Sequence, residues 1–125
     1  TQSREIYNKF LMDSIKVTES LNLLEKSLEL YPNNVNALIL KSTILFQKKD
    51  IQGIIEISDR LIELDPQNPN FLYRKAFYLD ISGNNSEAQK YYQYAIEIYR
   101  SLIDPANPNF DLMLEYLICL DDSGD

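Results

Sequence analysis

Apolar residues recur along this chain at the spacing of one helical face and lapse at short polar breaks. Leu38, Ser42 and Leu45 stand at i, i+4, i+7, which predicts a helix, and Gln47-Lys48-Lys49-Asp50 interrupts it. Ile51, Ile54, Ile55, Ile57, Leu61, Ile62 and Leu64 then predict a second amphipathic helix, ended by Pro66 and Gln67-Asn68-Pro69-Asn70. The scheme repeats: Leu72, Ala76 and Leu79 line one helix, and Ala88, Tyr91, Tyr92, Ala95 and Ile96 line the next. Between them Ser82-Gly83-Asn84-Asn85 predicts a turn in which Gly83 takes positive φ, and Ser86-Glu87 predicts a helix start capped by the serine hydroxyl. Towards the N-terminus, Ile6, Tyr7, Phe10 and Leu11, then Leu21, Leu24 and Leu28, predict another pair of helices with Thr18 capping between them. Leu112–Leu120 predicts a last, strongly apolar helix with no second member.

The pairs are copies. Leu28-Glu29-Leu30-Tyr31-Pro32 and Ile62-Glu63-Leu64-Asp65-Pro66 lie 34 residues apart, and Ile96-Glu97-Ile98-Tyr99 falls one period further. Asn68-Pro69-Asn70-Phe71 is echoed by Asn107-Pro108-Asn109-Phe110, and Ser82-Gly83-Asn84 by Ser123-Gly124-Asp125. Self-similarity at this period predicts an all-α stack of helical hairpins, each burying its apolar face against the next. A first helix without its partner leaves an apolar face bare, so residues 112–120 are expected to meet further downstream residues or to self-associate.

Composition then removes whole classes of function. The 125 residues contain no histidine and a single cysteine, Cys119, so most zinc sites and most acid–base or triad chemistry lack their residues. Cys119, on an apolar face with no histidine to activate it, reads as a small buried residue. No catalytic residue, metal or cofactor is assigned, and the chain is expected not to be an enzyme. The formal charge of −7 argues against a nucleic-acid binder. Almost all of it sits at the end: Asp104, Asp111, Glu115, Asp121, Asp122 and Asp125 have no lysine or arginine among them. Solvated helix faces explain that bias; a basic partner docking there is the sharper reading. No run is long and uncharged enough to enter a membrane. Residue 1 is threonine, so a removed leader or lipid anchor stays open, and the compartment with it; lack of a secretory leader favours the cytoplasm.

These residues resemble the tetratricopeptide repeat family. At its positions the second unit reads Leu38, Lys41, Ser42, Leu45, Ile54, Ser58, Leu61 and Pro66, with Ile54 and Leu61 in place of small residues, which implies wider helix spacing there. The third, the better match, reads Leu72, Lys75, Ala76, Leu79, Ala88, Tyr92 and Ala95. It keeps the small–aromatic–small trio that lets two helices approach closely. Lys41 and Lys75 occupy a usually apolar place, where their stems pack and their ammonium groups reach water. Proline is displaced at the third boundary, to Asp104-Pro105, so that helix should run about one turn longer. The resemblance implies a right-handed superhelical stack in one domain over 1–125, with repeats at about 1–34, 35–68 and 69–107 and a partial one at 108–125.

In that family the first helix of each hairpin lines a concave surface. The positions carried over are Asn36, Ile39, Thr43 and Phe46, then Asn70, Tyr73, Arg74, Phe77 and Asp80, then Asn109, Leu112 and Tyr116. The basic and asparagine constellation with which some members clamp a terminal carboxylate is absent, since Glu5 and Leu40 replace its lysine and asparagine. The expected groove is instead apolar and aromatic, suited to a helix or extended peptide with apolar anchors. Phe46 and Phe77 fit the inner seam between hairpins as well as the groove; the hydroxyls of Tyr73 and Tyr116 favour the groove. The expected function is a non-catalytic protein–protein interaction module. The alternatives are an assembly segment acting through its last helix, or an acidic, immunity-type protein masking a basic partner.

Overall fold

The computed structural model describes residues 2–124. They form six helices, α1 (Gln2–Leu30), α2 (Val35–Gln47), α3 (Ile51–Leu64), α4 (Pro69–Ile81), α5 (Asn85–Leu102) and α6 (Phe110–Ser123), and among the described residues there is no strand. The chain divides into two compact units, Thr1–Lys49 and Asp50–Asp125.

In the first unit α1 packs on α2. The expected break at Thr18 does not occur: α1 is one helix of 29 residues. Neither glycine nor proline falls between Gln2 and Leu30, and the Thr18 hydroxyl donates to the Ser14 carbonyl at 3.0 Å, within the helix rather than at an end. Val17, Leu21, Leu24 and Leu28, at i, i+4, i+7 and i+11, are half-buried and form its inner stripe. No residue of α1 is fully buried, and Ile6, Tyr7, Phe10 and Leu11 are exposed. Lys41 on α2 pairs with Glu25 on α1 at 2.5 Å.

In the second unit α3, α4, α5 and α6 pack in succession, and α6 also touches α4. Ala76, Ala88, Tyr92, Ala95, Ile96, Tyr99 and Cys119 are at most 1% exposed. Ala88 and Ala95 stand about a turn to either side of Tyr92, and with Ala76 they leave room for two helix backbones to close over the ring. Burial of the Tyr92 ring is worth on the order of 4 kcal/mol, and that of Tyr99 less, since its buried hydroxyl lacks a hydrogen-bond partner. Lys75 on α4 does not run out to water. Its ammonium meets Asp59 of α3 at 2.5 Å and donates to the Tyr91 hydroxyl of α5 at 3.0 Å, so one side chain ties three helices.

Helix ends explain the spacing of the repeats. Asn34, Asp50, Asn68 and Asn109 each accept a backbone N–H from the first turn of the helix that follows, at 3.0–3.1 Å. Ser86 is not a cap: α5 starts at Asn85, after Asn84, which makes no side-chain cap bond. At α4 the cap is the first asparagine of Asn68-Pro69-Asn70, with Pro69 opening the helix. In Asn107-Pro108-Asn109 the cap is the second asparagine, and Pro108 stays outside. That slip of two residues, with an α5 of 18 residues against 14 in α3, sets α6 41 residues after α4 instead of 39. The turn residues follow the same count: Lys49 (φ 61°), Gly83 (φ 91°) and Gly124 (φ 84°) are all left-handed. Glycine adopts that conformation freely, whereas Lys49 is strained there. Lys49→Gly should therefore stabilise the chain by up to about 1 kcal/mol, read as a higher urea midpoint. An unchanged midpoint would show that the turn does not require the left-handed state.

Candidate partner-binding surface

Asn70, Tyr73, Arg74, Phe77 and Asp80 recur every three or four residues, so the single helix α4 brings them to one face. All five are half-buried. The Tyr73 ring lies 6.1 Å from Phe77 and 6.2 Å from Tyr92, tilted to both. The Tyr73 hydroxyl donates to the Asp122 carboxylate on α6, and Gln89 of α5 donates to the Ser123 carbonyl at 3.1 Å. Arg74 donates through Nε to the Asn70 side chain at 2.9 Å, one turn back. The face is thus an aromatic strip bordered by an Arg–Asn pair at one end and by Asp80 and Asp122 at the other.

The expected positions on α2 behave differently. Ile39 is half-buried while Asn36, Thr43 and Phe46 are exposed, and the Thr43 hydroxyl donates to the Ile39 carbonyl at 3.2 Å. On α6, Asn109 is engaged as the N-cap. Leu112 packs on the core, and Tyr116 lies against α5, with its ring 6.0 Å from Tyr99 and its hydroxyl accepting from Arg100 Nε at 2.9 Å. The two-residue slip causes this. Counted by 41, Tyr73 and Phe77 correspond to Leu114 and Ile118, which are exposed, whereas Leu112 and Tyr116 correspond to Phe71 and Lys75. The echo of Ser82-Gly83 in Ser123-Gly124 carried the correct count; the echo of Asn-Pro-Asn-Phe did not. Asp122 and Tyr92, which border the α4 face, had no counterpart in the carried-over positions.

Burial and carboxylates together disfavour ionised tyrosine here. Burial foremost, then the hydrogen bond to Asp122 and its charge, pushes the Tyr73 phenol up. Tyr92 is raised by burial and by Asp80 and Asp122. Tyr99 is raised by burial and Glu115, against a smaller opposing pull from Asn70 and Arg74. Its fully buried hydroxyl has no hydrogen-bond partner at normal geometry. Burial lowers the Lys75 pKa, but the hydrogen bonds and charges of Asp59 and Tyr91 outweigh it and raise it. Among the described residues no group of three or more acidic or cysteine side chains would hold a metal, and no helix is long and apolar enough to cross a membrane.

These shifts have one sign. Tyrosines whose folded pKa lies above the ordinary 10.0 contribute their full stability below that pH and lose it progressively above. Helicity should hold from neutral pH to about 10 and then fall together with a steep rise in tyrosinate absorbance. Full ionisation of every tyrosine with helicity intact would contradict the burial described here.

Residues 58–90 match the family model of the tetratricopeptide repeat, a stretch running from α3 through α4 into α5. Over 54 residues, 42% of this chain, the sequence is 44% identical to the protein O-mannosyl-transferase TMTC3 of Homo sapiens. Over 74 residues, 59% of this chain, it is 32% identical to the uncharacterized protein y4yS of Sinorhizobium fredii (strain NBRC 101917 / NGR234). The matches span 6% and 41% of those two relatives. A solved structure described as MamA MSR-1 C2 aligns over 90% of this chain and 67% of its own, with a TM-score of 0.54 at 18% identity, a likeness of fold.

Proposed function

From the premise that the chain is a tetratricopeptide-repeat protein, we propose that it is a non-catalytic interaction module that holds a partner protein's peptide or helix on the α4 face. The observation that carries this reading is the aromatic strip of Tyr73 and Phe77, half-buried and bordered by polar groups held in place: Arg74 by Asn70, and Asp122 by Tyr73. Apolar anchors of the partner would cover the rings, while Arg74, Asn70 and Asp80 would set its direction. Ile39 and Phe46 offer the same kind of side chain on α2, with Asn36 and Thr43 as polar neighbours. Asn109, Leu112 and Tyr116 contribute indirectly, by capping α6 and seating it.

Phe77→Ala and Arg74→Ala are the suitable probes, because truncating Tyr73 would also remove the bond to Asp122. Proteins retained from host extract by the wild-type chain, once identified by mass, should bind each variant at least about tenfold more weakly, with helicity unchanged. Equal binding by both folded variants would place the contact away from α4.

A second reading, self-assembly through the last helix, has its own observation. Phe110, Met113, Leu114, Leu117 and Ile118 stand at i, i+3, i+4, i+7 and i+8 on α6 and are 36–76% exposed. Met113 and Leu117 correspond, 41 residues on, to Leu72 and Ala76, which are buried in the core that α4 shares with α5. An apolar stripe of this kind supports association. Light scattering over a concentration series should show reversible growth in mass, abolished by Leu117→Lys; a constant monomer mass would remove this reading.

A further inference from the structure

A cavity of about 300 Å³ opens in the second unit, away from the α4 aromatic strip, lined by Pro66, Gln67, Leu72, Tyr94, Glu97 and Ile98. Its walls divide by chemistry. Leu72, Ile98 and Pro66 are apolar, and Tyr94 and Glu97, three residues apart on α5, add a phenol ring and a carboxylate from one helix face. Tyr94 is half exposed, and its ring meets Tyr91 edge-on at 5.9 Å, which limits its rotation.

The chain already shows what such a combination holds. One turn away, the Lys75 ammonium sits 4.3 Å from the centre of the Tyr91 ring and 2.5 Å from the Asp59 carboxylate. Tyr94 and Glu97 repeat the ring and the carboxylate beside an apolar slot, and no lysine or arginine lines it. An aliphatic stem ending in a cation matches all three parts: methylenes on Leu72, Ile98 and Pro66, the charge over Tyr94 and against Glu97. The chain's net charge of −7 favours the approach of such a group. We propose that this cavity binds a lysine or arginine side chain of a protein partner. The site shares no residue with the α4 face, so it stands or falls separately from the groove reading.

The test uses the whole chain and two small probes, N-acetyl-lysine-N-methylamide and its norleucine counterpart, which keeps the stem and lacks the charge. Backbone amide resonances of Gln67, Leu72, Tyr94, Glu97 and Ile98 should shift saturably with the lysine probe. Binding should be about fivefold weaker for norleucine and for Glu97→Gln, and weaker still as salt is added. Tyr94→Phe should keep affinity and Tyr94→Leu should lose it, because the ring face is what the cation needs. Both residues are exposed, so the variants should retain wild-type circular dichroism. Equal binding of norleucine, undiminished binding to folded Glu97→Gln, shifts centred elsewhere, or no saturable shift with the lysine probe would each overturn the proposal.

Discussion

One contact recurs where α1 meets α2, α3 meets α4 and α5 meets α6, always between residues 16 apart: Glu25 with Lys41, Asp59 with Lys75, Arg100 with Tyr116. The first two are ion pairs related by the 34-residue period. The third, 41 residues on, keeps the geometry and exchanges the chemistry, a guanidinium donating to a phenol. Half-exposed pairs of this kind add little net stability. Their effect is on register. Sliding one helix past the other by a residue would strand a largely buried ammonium without its carboxylate, which costs far more than the pair contributes. These helix pairs within each unit are therefore held to one alignment by a polar contact, while apolar burial supplies the energy.

That division of labour shapes the second unit. Alanines at 76, 88 and 95 let α4 and α5 close around Tyr92, and the closeness fixes which residues remain on the outer face of α4. Tyr73 then extends the order to the last helix through Asp122, while Gln89 holds the Ser123 carbonyl. The proposed binding face is consequently assembled on one rigid helix and braced from two neighbours. A surface of that kind loses little conformational freedom when a partner covers it.

Much of this was legible from residues alone. The 34-residue period, the proline stops, Gly83 and the small–aromatic–small trio report local sterics, and local sterics are written in residue type. The long α1 was harder, because Thr18 looks equally like a cap and like a mid-helix threonine bonded back to Ser14; only the lack of glycine and proline from Gln2 to Leu30 favoured the second. The partners of Lys41 and Lys75 were invisible for a different reason: each lies on another helix. The displacement at α6 misled because two echoes disagreed. Which asparagine of Asn107-Pro108-Asn109 caps the helix depends on where the preceding helix ends, a tertiary matter.

The displaced register decides what α6 can offer. Had it followed α4 by 39 residues, Leu112 and Tyr116 would have continued the aromatic face. At 41 they turn to α5, and the carboxylates Asp111, Glu115 and Asp121 lie exposed beside the bare stripe of Leu114, Leu117 and Ile118. In the self-assembly proposed for α6, burial of the stripe would have to outweigh repulsion between these carboxylates, which salt screens. The cation proposed for the cavity at Tyr94 and Glu97 has an observed counterpart in the chain, the Lys75 ammonium over the Tyr91 ring and against Asp59. In both places, α6 and the cavity, carboxylates border exposed apolar side chains, so charge and apolar burial would act on the same proposed contact.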